Sequence, residues 1–367
     1  MLQANTSRRS HWPPVIATAL GYACFSLLGL ALHGWSPLWF VWIGERWSEG
    51  VIGGRTGYDG QFVYYLARDG WAALPHLDAP AYRAGRVLYP LSAAALSGGS
   101  ADWLPWSMVA INFAAVVAGT AAIARWLAAR AVNPWWALAY AGCAGIVFAY
   151  SRDCTEPLAY ALVAAGTIAW LDDRRGIGWA LLALAPLARE STVLFAAGLA
   201  AAALAARRWR DVRALAATAL PAMLWQAYLT ASVPAPTIGG IGLLQFPMAG
   251  AFPIADLDPG RLAALFLLGL PALALLPGAL AWTWREPRVA FGWLIALNVL
   301  LVLIAPNQSW WHVLGLARVA VGAVVALLLA FPVLSPELRA AVAAFAVAPT
   351  LIWLGPMLWW APWTAVR

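Results

Sequence analysis

Only 11% of the 367 residues are charged, so the side chains able to do acid, base or ion chemistry fall into a few small groups. Asp59 sits in Tyr58-Asp59-Gly60-Gln61-Phe62, ahead of Arg68 and Asp69. Arg83 and Arg86 sit in Tyr82-Arg83-Ala84-Gly85-Arg86-Val87-Leu88-Tyr89-Pro90. Asp153 and Glu156 are three apart in Ser151-Arg152-Asp153-Cys154-Thr155-Glu156. Arg189 and Glu190 interrupt an otherwise apolar stretch, and Arg318 is the single charge in the run from Val313 to Phe331, just after Trp310, Trp311 and His312.

Each group has a plain reading beside a chemical one. Asp59 suits the N-cap of a short helix. Asp153 and Glu156 could share one face at a helix start, where carboxylates favour the dipole. Arg189 and Glu190 read as a buried ion pair at a helix break, although ionisable residues at membrane depth point to function by default. His312 reads as an interfacial anchor beside its tryptophans. Asp256 and Asp258 lie in a Pro/Gly-rich stretch and read as turn formers. For Arg318 the plain reading is a side chain reaching the headgroup layer, and the chemical one is a forked donor set suited to phosphate.

The elements that must position these groups are membrane helices. The chain is 63% hydrophobic, whereas soluble domains carry about a quarter charged residues. At roughly 20 residues per span, its length predicts about ten to eleven transmembrane helices and one all-α polytopic domain over residues 1–367. The 24 Trp suit two interfacial belts. The net charge of +7 comes from Arg alone, since the chain has no Lys, and its flanking of apolar runs fits the positive-inside rule rather than nucleic-acid binding. Cys24, Cys143 and Cys154 have no metal-ligand spacing and predict neither a disulfide framework nor a zinc site.

The apolar run Trp12 to Leu32 follows Arg8 and Arg9 and is too long for a signal-peptide core, so it is expected to be an uncleaved first span with a cytoplasmic N-terminus. Helices are expected over roughly 12–32, 104–124, 134–150, 157–171, 179–188, 191–206, 214–231, 262–283, 289–305, 313–331 and 340–360. Arg-bearing hinges alternate with turns assigned to the far side, which makes 44–103 a large extracytoplasmic loop with short amphipathic helices and 232–261 a second one. Residues 179–206 are too few for two full spans, so a broken or re-entrant helix pair is expected there, with Arg189 and Glu190 at its turn.

Tyr58-Asp59-Gly60-Gln61-Phe62, Leu66-Ala67-Arg68-Asp69-Gly70 and Arg86-Val87-Leu88-Tyr89-Pro90 resemble the first outer loop of GT-C superfamily membrane glycosyltransferases, notably GPI mannosyltransferase 2-like proteins. Tyr150 to Pro157 resembles the family's polar turn with Glu, and Leu187 to Thr192 its Arg-containing turn, so the likeness covers about the first 210 residues. It implies an inverting transferase of the inner membrane that moves a sugar from a polyprenyl-phosphate carrier to a glycan, lipid or protein acceptor on the extracytoplasmic side. On that resemblance Asp59 is the general base, and Tyr58, Gln61, Arg86, Tyr89, Glu156, Arg189, Glu190, His312 and Arg318 are the substrate-binding set. Arg86, Arg189 and Arg318 would face the leaving phosphate; a divalent cation is allowed but no acidic cluster demands one. Two other classes stay open, a transporter or lipid-linked glycan flippase and a non-catalytic assembly protein.

Overall fold

The computed structural model describes residues 10–51, 54–233, 246, 248, 249 and 259–359, and all regular structure among them is helical. Arg8, Arg9, Asp256, Asp258 and most of the expected second loop over 232–261 lie outside the described residues.

Among the described residues five helices are long and apolar enough to cross a membrane: Trp12–Leu32, Leu104–Ala128, Pro259–Arg285, Val313–Val333 and Pro336–Leu358. Four more are apolar but shorter, Glu156–Leu171, Arg175–Ala188, Glu190–Ala205 and Ala290–Leu303. The five fall short of the ten or eleven expected because several expected spans are broken or short. The helix expected over 134–150 is three pieces, a 3-10 turn Pro134–Ala137, then Leu138–Ala141 and Ala144–Ser151. That over 214–231 is Trp209–Ala217 and Leu220–Ser232, the second starting just ahead of Pro221, which has no N–H to give to a preceding turn. The expected 262–283 helix carries a π turn, Leu265–Gly269, just before Pro271, and still runs on as one helix of crossing length, Pro259–Arg285.

Prolines placed in first turns serve as starts instead. Pro13, Pro105 and Pro157 each stand where the N–H would be unpaired in any case. The break foreseen within 179–206 is present: Arg175–Ala188 and Val193–Ala205 are separated by Arg189 and a 3-10 turn at Glu190–Thr192.

The organising element is the helix Val313–Ala330. Of the most apolar window in Val313–Val333, 89% is buried inside the protein, against 28% for Trp12–Leu32 and for Pro336–Leu358. It packs against Ala290–Leu303, Ala144–Ser151 and Glu156–Leu171. Gly145 permits a close approach of Ala144–Ser151, because a Cβ there would run into the carbonyl of Ala317 and the side chain of Val321. The residue after Ala317 is Arg318, so this contact sets a guanidinium beside the turn that ends at Glu156.

Between the first two long helices lie short ones, Glu45–Ser48, Gly60–Asp69, Pro80–Ala84 and Leu88–Leu96. The amphipathic helix expected after Gly60 is Gly60–Asp69, and it buries Phe62, Val63, Tyr64 and Tyr65. Gly60 itself lies against the carbonyl of Arg152, where a Cβ would not fit. That contact docks the start of the loop helix onto the Ser151–Glu156 turn.

Candidate functional site

The starts of Gly60–Asp69, Glu156–Leu171 and Val313–Ala330 and the break at Arg189–Thr192 converge, and with them most of the charged residues singled out in the sequence. The approach to Asp59 is pinned by backbone. Tyr58 N donates to Trp42 O at 3.0 Å, and buried Gln61 clamps the same crossing, accepting from Gly44 N at 3.0 Å and donating to Thr56 O at 2.6 Å. Gln61, expected among the substrate contacts, is therefore committed to holding the loop.

Asp59 precedes the first helical residue, but its side chain makes no capping bond. Its carboxylate is turned onto two guanidiniums instead. Arg83 Nη1 lies 3.1 Å from Oδ1, and Arg318 Nη1 donates to Oδ2 at 2.8 Å. Burial opposes ionisation of Asp59, yet the charges of Arg83, Arg318 and Arg86 outweigh it and hold the carboxyl well below the usual carboxylate range. Asp59 is thus an ionised acceptor at any physiological pH.

Each arginine around it is held elsewhere by a second carboxylate. Arg83 donates to Asp78 through Nε and Nη2, both at 2.7 Å. Arg86 donates to Glu190 through Nε at 3.0 Å and Nη2 at 2.7 Å, and also to Tyr82 Oη. Arg318 donates through Nε to Glu156 and through Nη1 to Tyr58 Oη at 3.0 Å. Arg189 Nη1 donates to the same Glu156 oxygen at 2.7 Å. The plain reading of Arg189 and Glu190 as an ion pair with each other does not hold, since adjacent residues at a helix break diverge and each takes a partner from another element. Asp153 and Glu156, which could have shared one face, take different partners, Tyr89 and Asn112 for the first and Arg189 and Arg318 for the second. Arg318 does not snorkel: it is buried and bound on three sides.

Asp59, Arg83, Arg86 and Arg318 line one small cavity together with Phe62, Val63, Cys154 and Thr155. The Oγ1 of Thr155 is buried there without a hydrogen-bond partner. Three guanidiniums and an unpaired hydroxyl facing one void suit an anion, and phosphate above all, because an arginine fork matches its oxygens. The cavity is about 10 Å³, room for a single water-sized sphere.

Of the expected substrate contacts only Arg86 and Arg318 line it; Tyr58, Glu156 and Glu190 hold those arginines, Arg189 holds Glu156, and Tyr89 and His312 lie apart. Tyr89 is fully buried, donating to Met108 O at 2.9 Å and Asp153 Oδ1 at 3.2 Å. His312 accepts from Leu314 N at 3.2 Å, capping the central helix, and packs on Trp353. Phe62, Val63, Arg83, Cys154 and Thr155 are the cavity residues missed from sequence. Arg83 carried a usable signal: it precedes Arg86 by three, the spacing that puts two side chains on one helical face.

Among the described residues no group of three or more His, Cys, Asp or Glu is placed to hold a metal ion. The three cysteines are free thiols. Comparison with protein-family models, with curated proteins and with solved structures finds no match to this chain.

Proposed function

We propose that the protein is an inverting membrane glycosyltransferase of GT-C type, moving a sugar from a polyprenyl-phosphate carrier to an acceptor on the extracytoplasmic side of the membrane. The observation that carries the reading is one carboxylate, Asp59, sharing a cleft with Arg83, Arg86 and Arg318 among apolar helices of membrane-crossing length. A lipid-linked phosphosugar brings an apolar tail, an anionic phosphate and an electrophilic carbon on one molecule. The apolar helices, the arginines and Asp59 each match one of those parts.

In this scheme the acceptor hydroxyl attacks the anomeric carbon while Asp59 takes its proton. The carbon–oxygen bond to phosphate breaks as the new one forms, and the phosphate departs with the electron pair. Arg83, Arg86 and Arg318 neutralise the charge that develops on it. Glu156 is a positioning residue: through Arg318 Nε it fixes the guanidinium that faces the cleft.

The test is release of free prenyl phosphate from a panel of prenyl-phosphoryl hexoses and pentoses by the purified protein, with acceptor glycans and lipids supplied. Release should depend on an acceptor, and Asp59→Asn should lower it roughly a hundredfold or more. If no member of the panel is consumed, or if Asp59→Asn releases phosphate as fast as the native chain, the reading is wrong.

A further inference from the structure

A base and a phosphate site that share the same arginines are competitors in the absence of substrate. We propose that Asp59 occupies the anion site from within, holding the free ends of Arg83 and Arg318, and that an incoming phosphate displaces it and so arms the base. The inference rests on the cavity being a phosphate site, as proposed above.

Three features support it. First, the arginines are built as pivots. Arg83 is anchored on Asp78 through Nε and Nη2 and touches Asp59 through Nη1. Arg318 is anchored on Glu156 through Nε and reaches Asp59 through Nη1. Arg86, anchored on Glu190 by Nε and Nη2, leaves Nη1 uncommitted. Each guanidinium on the cavity therefore keeps a carboxylate anchor other than Asp59, Arg318 by sharing Glu156 with Arg189.

Second, a void of about 10 Å³ admits water but not a phosphate group, so binding requires side chains to move. The contacts to Asp59 can be given up without releasing an arginine from its anchor. Third, a carboxylate bound by two guanidiniums is a weak base, whereas a general base works best with a pKa near the working pH. Placing phosphate on those guanidiniums frees the Asp59 lone pairs and sets an anion beside them, and both changes raise its basicity. Without donor the base is quenched; with donor it is ready for the acceptor, which orders the reaction donor first.

Coupling of this kind is reciprocal, so removing the Asp59 charge must strengthen anion binding even as it abolishes transfer. Farnesyl phosphate is the probe, titrated by calorimetry into the full-length protein in uncharged nanodiscs. Asp59→Asn should bind it about tenfold more tightly than the native chain. Asp78→Asn removes an equal charge from the same Arg83 but cuts its anchor, so it should bind no more tightly than native. A second neutral variant, Asp59→Ser, should repeat the first result if Asp59→Asn unfolds. Tighter binding by Asp59→Asn and Asp78→Asn alike would reduce the effect to net charge and overturn the proposal. Unchanged or weaker binding by both Asp59 variants, with the native chain still binding, overturns the lock and leaves the phosphate site standing. No binding by any form sinks both.

Discussion

One turn, Ser151 to Glu156, carries two buried carboxylates, and their surroundings are opposites. Glu156 accepts from Arg189 and Arg318 and belongs to a web in which every cation has a partner. Asp153, three residues earlier, accepts only from neutral donors, Tyr89 Oη and Asn112 Nδ2 at 3.3 Å, although each of the two groups keeps one buried oxygen without a hydrogen-bond partner. Arg152 beside it is fully buried with no carboxylate partner among the described residues. It donates to Ser151 O at 2.6 Å and stacks over Trp42 at 4.2 Å. The difference teaches where an ionic ligand can be received. Paired charges facing a void can exchange partners at little cost, whereas Arg152 and Asp153 sit among rings and backbone and serve to fasten the loop onto the bundle.

Substitutions can break this contrast. The largest effect is expected for Glu156→Gln, which leaves Arg189 and Arg318 buried without their shared anion and should cost about 3–5 kcal/mol, read as a lower unfolding midpoint in detergent. Gly60→Ala should follow, because its methyl meets the carbonyl of Arg152 and forces the loop helix off the turn. About 1–3 kcal/mol and a matching loss of anion binding are expected, and an unchanged midpoint would mean that the docking is loose. Arg152→Met should change stability by about 1 kcal/mol or less, since the lost stacking on Trp42 is offset by removing an uncompensated buried charge. A loss as large as that of Glu156→Gln would show that Arg152 has a counter-ion and erase the contrast.

The last effect is read as a slope with pH. Burial pushes the Asp153 carboxyl up to about 8, while hydrogen bonds from Asn112 and Tyr89 pull it partly back. Folding thus raises this pKa from its ordinary 3.8, and the unfolded chain loses its proton first. The stability contributed by neutral Asp153 is complete below the ordinary value and declines as the pH rises toward about 8. Unfolding midpoints should fall across that window in the native chain and fall less in Asp153→Asn; parallel curves would assign the slope to another group.

The sequence alone revealed the charged residues worth following but not which of them meet. Asp59 and Arg318 stood out because each sits where a charge is expensive or locally patterned, and both line the cavity. The helical class was legible from apolar run lengths, and the break at Arg189–Thr192 from a stretch, 179–206, too short for two full spans. Partnerships were not, because Arg86 with Glu190 and Arg189 with Glu156 join residues far apart in the chain. Sequence adjacency pointed to Arg189 with Glu190, a pair whose side chains part at the break. Tyr89 looked like a loop residue near the site, and only packing shows it turned inward toward Met108 and Asp153. Helix continuity was overestimated at Gly142 and Pro221, where apolar composition hides backbone interruptions.

The central claim is that the cleft between Asp59 and the three arginines receives the phosphate of a lipid carrier, and a cryo-EM structure of the protein in nanodiscs with a polyprenyl phosphate tests it most directly. The account predicts phosphate density within hydrogen-bond distance of Arg83, Arg86, Arg318 and Thr155 Oγ1, with Asp59 turned off both guanidiniums that it now holds. Density for the headgroup anywhere else, with Asp59 still paired to Arg83 and Arg318, would contradict it.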